Sequence, residues 1–257
     1  MTAAWPSTEL VGQQLSLITL DTVVDWLSAN ERPESFSYVV TANLAHLDLL
    51  HRNETLRVAY RQAALRVIDG APITWLLRWW HYSVPERVAG SDIVGPTLNR
   101  LSQRGGLVAI FGGRPGAERR IESAILALYP GLAGCRVMAP PMGFDPSSAI
   151  ARDYATRLAD EYADVDLLLI CVGAPRQELF ASHWSSQLPA VRALCCGAAI
   201  DMLIGDVPRA PAVMRRTGLE WLYRLLREPR RLYVRYSRSG WVFVRLLLGG
   251  RTRARHP

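Results

Sequence analysis

The sequence predicts an α/β fold: a Rossmann-like, mostly parallel sheet of about six strands with helices on both faces, and a basic helical appendage at the C-terminal end. Three observations predict it. From Leu107 onward, short apolar runs alternate with helix-like segments, and no hairpin signal interrupts them. Each of the last four strand-like runs is followed by a glycine-bearing loop. The charge is also divided. Arg209 to Pro257 carries 13 Arg against two acids, a net of +11 in a chain whose total is +7, so the remainder is −4. Residues 1–206 therefore read as one α/β domain and 207–257 as the appendage.

The elements follow in order. Trp5 to Leu17 has no clear period and is expected to lie across the domain edge. Thr19 to Ala29 is an amphipathic helix with Leu20, Val23, Val24 and Leu27 inward. Phe36 to Val40 is a strand ending on Thr41-Ala42-Asn43, and a helix with Leu44, Leu47 and Leu50 apolar follows. Leu65 to Ile68 is a short strand ending on Asp69-Gly70. Ala71 to Trp80 is a helix bearing Trp75, Trp79 and Trp80, which read as core, although an exposed part would suit a lipid or a sugar. Four further strands are expected at Leu107–Phe111, Cys135–Met138, Asp166–Val172 and Val191–Cys196. After Pro229, arginines interleave with Tyr233, Tyr236, Trp241, Phe243 and leucines. That pattern is too short and too charged to span a bilayer but suits a helix lying in its interface, or one packed on the body or a second subunit.

Composition narrows the class. Apolar residues make up 49% and charged residues 21%, which is ordinary for a globular chain, and every cation is Arg. Cys135, Cys171, Cys195 and Cys196 have neither metal-knuckle nor CxxC spacing and read as buried thiols. No signal pattern opens the chain, and no apolar run approaches the ~20 residues of a spanning helix. The expectation is a cytoplasmic, reducing location. The basic tail points to an anionic surface: phospholipid, a diphosphate ligand or nucleic acid.

Candidate chemistry gathers at strand ends. In parallel α/β sheets ligands sit beyond the C-terminal ends of the strands. Asp69 there is the first candidate for a catalytic carboxylate; a helix-capping role is its structural rival. Thr41 and Asn43 reach the same edge, as ligand contacts or as caps. Arg87, between a helix and Gly90-Ser91-Asp92, is placed to meet a phosphate. The loops Gly112-Gly113-Arg114-Pro115-Gly116, Pro140 to Phe144 with Gly143, Gly173-Ala174-Pro175-Arg176-Gln177-Glu178, and Gly197 to Asp201 suit a nucleotide, since glycines admit close backbone approach and the helices that follow present free N–H groups. They match neither a dinucleotide fingerprint nor a Lys-bearing phosphate loop, and they read equally as turns. Asp164-Val165-Asp166 imitates a metal-holding Asp-x-Asp, but it precedes its strand and so belongs to the opposite edge. His46, His51, His81 and His183 share no metal spacing. No metal and no cofactor is expected.

Taken together, Thr41-x-Asn43, Ile68-Asp69-Gly70, Arg87-Val88-x-Gly90-x-Asp92, Phe111-Gly112-Gly113, Gly173-x-Pro175-x-Gln177-Glu178, Gly197-Ala198, Arg209-Ala210-Pro211 and Gly218-Leu219-Glu220-Trp221 through Glu228-Pro229 resemble the WecG/TagA/CpsF family of bacterial glycosyltransferases. The resemblance runs from about Phe36 to Arg235, with the motifs in the family's order. It implies inverting, metal-independent transfer of a sugar from a UDP-sugar to a polyprenyl-diphosphate-linked sugar at the inner face of the cytoplasmic membrane, in cell-wall or exopolysaccharide synthesis. It assigns the catalytic carboxylate to Asp69, active-site roles to Thr41 and Asn43, a pocket role to Gln177, and arginine supply and membrane docking to the region after about Pro208.

The residue chemistry agrees. A carboxylate such as Asp69 can take the proton of an attacking hydroxyl, typically worth ~10²–10⁴-fold. Arg209, Arg224, Arg227, Arg230 and Arg231 are candidates to stabilise the departing diphosphate, with a solvated basic face as the plainer reading for most of them. Three rivals stand beside this: a nonenzymatic membrane scaffold on a nucleotide-binding fold, a nucleic-acid-binding protein using the tail, and a nicotinamide-linked enzyme. The second lacks any recognisable nucleic-acid motif, so no nucleic-acid partner is expected, and the third lacks its fingerprint. Apolar tail residues leave room for a homo-oligomer.

Overall fold

The computed structural model describes residues 5–227 and 229–249, without the side chains of residues 215, 216, 224, 230–236, 238 and 249. Strands β1 (Ser7–Leu10) and β2 (Gln13–Ser16) come first, then α1 (Leu20–Leu27), β3 (Ser37–Ala42), α2 (Leu44–Arg52), α3 (Glu54–Gln62) and β4 (Leu65–Ile68). Next are α4 (Ala71–Trp79), α5 (Gly90–Gln103), β5 (Leu107–Gly112), α6 (Glu118–Leu128), β6 (Gly134–Met138), α7 (Ala149–Glu161), β7 (Leu167–Cys171), α8 (Arg176–His183), β8 (Arg192–Cys195) and α9 (Ala199–Leu203). The C-terminal segment forms α10 (Ala212–Arg216), α11 (Glu220–Arg227) and α12 (Pro229–Gly249).

The six strands β3 to β8 form one parallel sheet in the order β4-β3-β8-β7-β5-β6. Alternation along each strand divides its side chains between the two faces. Val40, Ala42, Ala109 and Phe111 pack on one side with Leu47 and Leu50 of α2, Tyr60 of α3, Leu158 of α7 and Phe180 of α8. Val39, Val108 and Ile110 pack on the other with Val23 and Leu27 of α1, Leu98 of α5 and Ile125 of α6. Each fully buried Leu or Ile contributes roughly 1.5–3 kcal/mol of transfer free energy, so both faces are held firmly. The elements begin where local chemistry allows: Thr19, Asn43 and Ser148 accept first-turn N–H bonds as N-caps of α1, α2 and α7.

One expectation changes. The segment Trp5 to Leu17 lies at the domain edge as expected, but Ser7–Ser16 within it is a regular antiparallel hairpin rather than an aperiodic stretch. Its two-residue turn, Val11-Gly12, has both φ angles positive, at 55° and 69°. A β-branched residue in that region is uncommon, which is why the turn carries no ordinary hairpin signal. The hairpin lies beside β4, where Ser16 Oγ accepts from the Arg66 backbone N–H.

All six strands point the same way, so their C-terminal ends share one edge. Chain leaves β5 toward β6 on one side, and leaves β7 toward β8 on the other. The gap between β5 and β7 is thus a switch point, the place where parallel α/β sheets receive ligands. Gly112 sits there at φ 143°, and a Cβ on it would lie 2.7 Å from the Cys171 backbone, so no larger residue fits. Asp164 and Asp166 stand at the opposite edge. Asp164 pairs with Arg136, and Asp166 accepts from the Leu107 N–H and faces Arg104. Among the described residues, no helix is long and apolar enough to cross a membrane.

Candidate active site

Strand register builds the site. The last β3–β4 pair is Ala42 with Ile68, so Asn43 and Asp69 leave the sheet side by side. The Asp69 N–H donates to the Ala42 carbonyl at 2.9 Å, which fixes where the carboxylate starts. Gly70, not Asp69, is the N-cap residue of α4. Asn43 does cap α2: its Oδ1 accepts from the N–H groups of Ala45 and His46. Thr41 is 4% exposed, and its carbonyl accepts from the His46 ring and the Tyr60 hydroxyl.

A cavity of about 390 Å³ opens over these ends. Thr41, Asn43, Asp69 and Arg87 line it, together with Ser91 at the start of α5 and Cys196 and Ala198 after β8. The C-terminal segment supplies a further wall through Gly218, Glu220, Trp221, Ser239, Gly240 and Phe243. Trp75 of α4 also faces it and is 45% exposed, whereas Trp80 is buried as core and Trp79 is 75% exposed.

Charge is concentrated on Arg87. Its Nη2 donates to Asp92 Oδ2 at 2.9 Å, while its Nη1 lies 3.7 Å from Asp69 Oδ1 and 3.6 Å from Glu220 Oε2. Arg209 pairs with Asp92 from the other side and donates to Ser91 Oγ at 3.0 Å. Two guanidinium groups and three carboxylates thus share a partly buried cluster. Such a cluster can bind an anion through arginine forks and take a proton on a carboxylate.

The other expected residues divide into groups. Gln177 is 2% exposed and stands behind the cavity wall: its Oε1 accepts from the Gly197 N–H at 2.9 Å, and its Nε2 donates to Glu178 at 2.8 Å. Gln177 and Glu178 thereby hold the loop whose Cys196 and Ala198 face the cavity. Gly112 ends β5, and Gly113, Gly143, Gly173 and Pro175 lie in the loops after β5, β6 and β7, along the same edge but outside the cavity lining. Asp201, on α9, is grouped electrostatically with Asp206, Arg114 and Arg120; burial first, then Asp206, pushes its carboxyl above the usual range. Arg227 is exposed and lies 5.4 Å from the ring of Tyr223 on its own helix. The side chains of Arg224, Arg230 and Arg231 lie outside the described residues.

Sequence reasoning placed none of Glu220, Ser239 and Phe243 in the site, and read Phe243 as part of an interfacial helix. Glu220 carried one signal, its place in the Gly-Leu-Glu-Trp motif; Ser239 and Phe243 reach the site only by the packing of α12 on α2. Cys171 and Cys196, at adjacent strand ends, bring their sulfurs to 3.3 Å. The Cys196 contact, then burial, raises the Cys171 thiol well above its usual range.

A family model described as the glycosyl transferase WecG/TagA/CpsF family matches residues 8–257. Among curated proteins, the N-acetylglucosaminyldiphosphoundecaprenol N-acetyl-beta-D-mannosaminyltransferase of Bacillus subtilis (strain 168) is 24% identical over 161 residues. That match covers 63% of this chain and 60% of the relative, so it spans less than two thirds of the relative's length. With the parallel sheet, the strand-end carboxylate and a match over nearly the whole length in hand, the chain belongs to the WecG/TagA/CpsF family of glycosyl transferases.

Proposed function

We propose that the protein is an inverting, metal-independent glycosyltransferase that moves a sugar from a UDP-sugar to a polyprenyl-diphosphate-linked sugar in cell-surface polymer synthesis. The observation that carries this reading is Asp69 in the cavity, at a strand's C-terminal end, with Arg87 at 3.7 Å. Family membership supports the reaction class. The name of the B. subtilis relative supports the acceptor class, a sugar on a lipid diphosphate.

In this reading Asp69 accepts the proton of the acceptor hydroxyl as it attacks the anomeric carbon, and the nucleoside diphosphate leaves from the opposite face. Thr41 and Asn43 orient the reacting sugars, and Gln177 keeps the Gly197 loop in place. The nucleotide lies across the β5–β7 gap, where Gly112, Gly113, Gly143, Gly173, Pro175 and Asp201 surround it. Arg87, Arg209 and the tail arginines, with helix N-termini, stabilise the leaving charge in place of a metal. Residues 1–206 form the catalytic domain. The appendage, 207–257, completes the site and rests on the inner face of the cytoplasmic membrane, with exposed Trp79, Trp241 and Leu248 toward lipid. The same apolar faces suit a homo-oligomer, which sedimentation with and without detergent would reveal.

The test is transfer of labelled sugar from a panel of UDP-sugars to a lipid-diphosphate-linked monosaccharide in the presence of chelator. Label in the lipid phase is expected. Activity that vanishes with chelator and returns with Mg²⁺ or Mn²⁺ would contradict the metal-independent part of the reading.

A further inference from the structure

We infer that Glu220, delivered by the C-terminal segment, is a positioning residue of this site: it holds the Arg87 guanidinium back from Asp69, so that the two do not close into a tight ion pair. The inference rests on the glycosyltransferase reading, in which Asp69 must meet an acceptor hydroxyl.

The geometry of one guanidinium carries it. Arg87 is anchored on one side by a true hydrogen bond, Nη2 to Asp92 at 2.9 Å, and Arg209 holds Asp92 in turn. Its other nitrogen is divided. Nη1 stands 3.7 Å from Asp69 and 3.6 Å from Glu220, beyond hydrogen-bond length to either. The four side chains Asp69, Arg87, Asp92 and Glu220 are 16–25% exposed, so water screens them only in part. Two carboxylates pulling on one nitrogen from comparable distances hold it between them. Remove the charge of one and the balance tips to the other.

Glu220 arrives by a defined route. Two residues earlier, Gly218 has φ 75°, and a Cβ on it would lie 2.6 Å from Ala71 Cβ and 3.0 Å from the Trp75 ring. Backbone therefore presses directly on α4, the helix that Asp69-Gly70 opens. Gly218, just before α11, is thereby seated against Ala71 and Trp75 of α4, and Glu220 at the start of α11 lines the cavity beside Arg87. Docking of the segment and the state of Asp69 are thus joined through one arginine. An arginine closed to hydrogen-bond length on Asp69 would lower its readiness to take the proton; an arginine shared with Glu220 places positive charge at the site from a longer distance.

The test compares Glu220→Gln and Glu220→Asp with the full-length wild type. Glu220→Gln keeps the shape and removes the charge. Turnover should fall about 10–100-fold with the donor KM within about twofold, since the change touches proton acceptance, a step typically worth ~10²–10⁴-fold, more than binding. Glu220→Asp, which restores the charge, should recover part of it. Unchanged turnover, or a loss confined to KM, overturns the inference. A crystal structure of Glu220→Gln needs no turnover: Arg87 Nη1 should close on Asp69 to hydrogen-bond length, about 2.9 Å. An unmoved guanidinium overturns the inference as well. A wild type that transfers no sugar from any donor counts against the glycosyltransferase reading alone, and the crystal structure still decides the role of Glu220.

Discussion

A single carboxylate, Asp69, bears most of the functional argument. Asp69→Asn should lower turnover by ~10²–10⁴-fold, the usual worth of a general base, and leave UDP binding within about twofold by calorimetry. Turnover close to wild type would remove Asp69 from the role of base. Asp201 yields a different prediction. Burial raises its carboxyl, with Asp206 adding to the effect and Arg114 and Arg120 opposing it. A carboxyl raised in the folded state stabilises the fold when protonated, and that contribution is lost as pH rises through its folded value. Asp201→Asn should therefore raise Tm more at about pH 7.5 than at about pH 4, measured by calorimetry. Asp69, Thr41, Asn43 and Arg87 were legible in the sequence, because a strand end followed by glycine or a helix start places a side chain at the ligand edge. Glu220, Ser239 and Phe243 were not, because only tertiary packing of the C-terminal segment brings them there.

At the level of elements, the strands from Leu107 onward were legible to within a residue or two, since β5 and β7 are continuous apolar runs and β6 and β8 depart from that pattern chiefly at Arg136 and Arg192. The hairpin at Ser7–Ser16 was not, since Val11 stands where a turn residue tolerant of positive φ is usual. Among the tail elements, the seat at Gly218 is the most sensitive. Gly218→Ala forces a side chain into a left-handed position, costing roughly 1–2 kcal/mol, and sets it against Ala71. Limited proteolysis should then cut within residues 207–227 while the sheet stays intact, with transfer reduced in parallel. Cleavage at the wild-type rate would show that this contact does not seat the segment.

Across the whole molecule, the slightly acidic α/β body and the basic tail meet at one cavity, to which both contribute walls. The reading makes the tail both a part of the site and the contact with an anionic membrane. Truncation after Pro208 should therefore abolish transfer and binding to anionic phospholipid vesicles together, as followed by sedimentation. Full activity on a detergent-solubilised acceptor would show that the tail supplies no functional group. The most direct test of the central claim is the transfer assay itself, run with purified full-length protein, a panel of UDP-sugars, a lipid-diphosphate-linked monosaccharide, chelator throughout and Asp69→Asn alongside. The account predicts label entering the lipid phase from at least one donor and lost in the variant. Transfer that proceeds equally well with Asp69→Asn, or no transfer from any donor to any such acceptor, would contradict it.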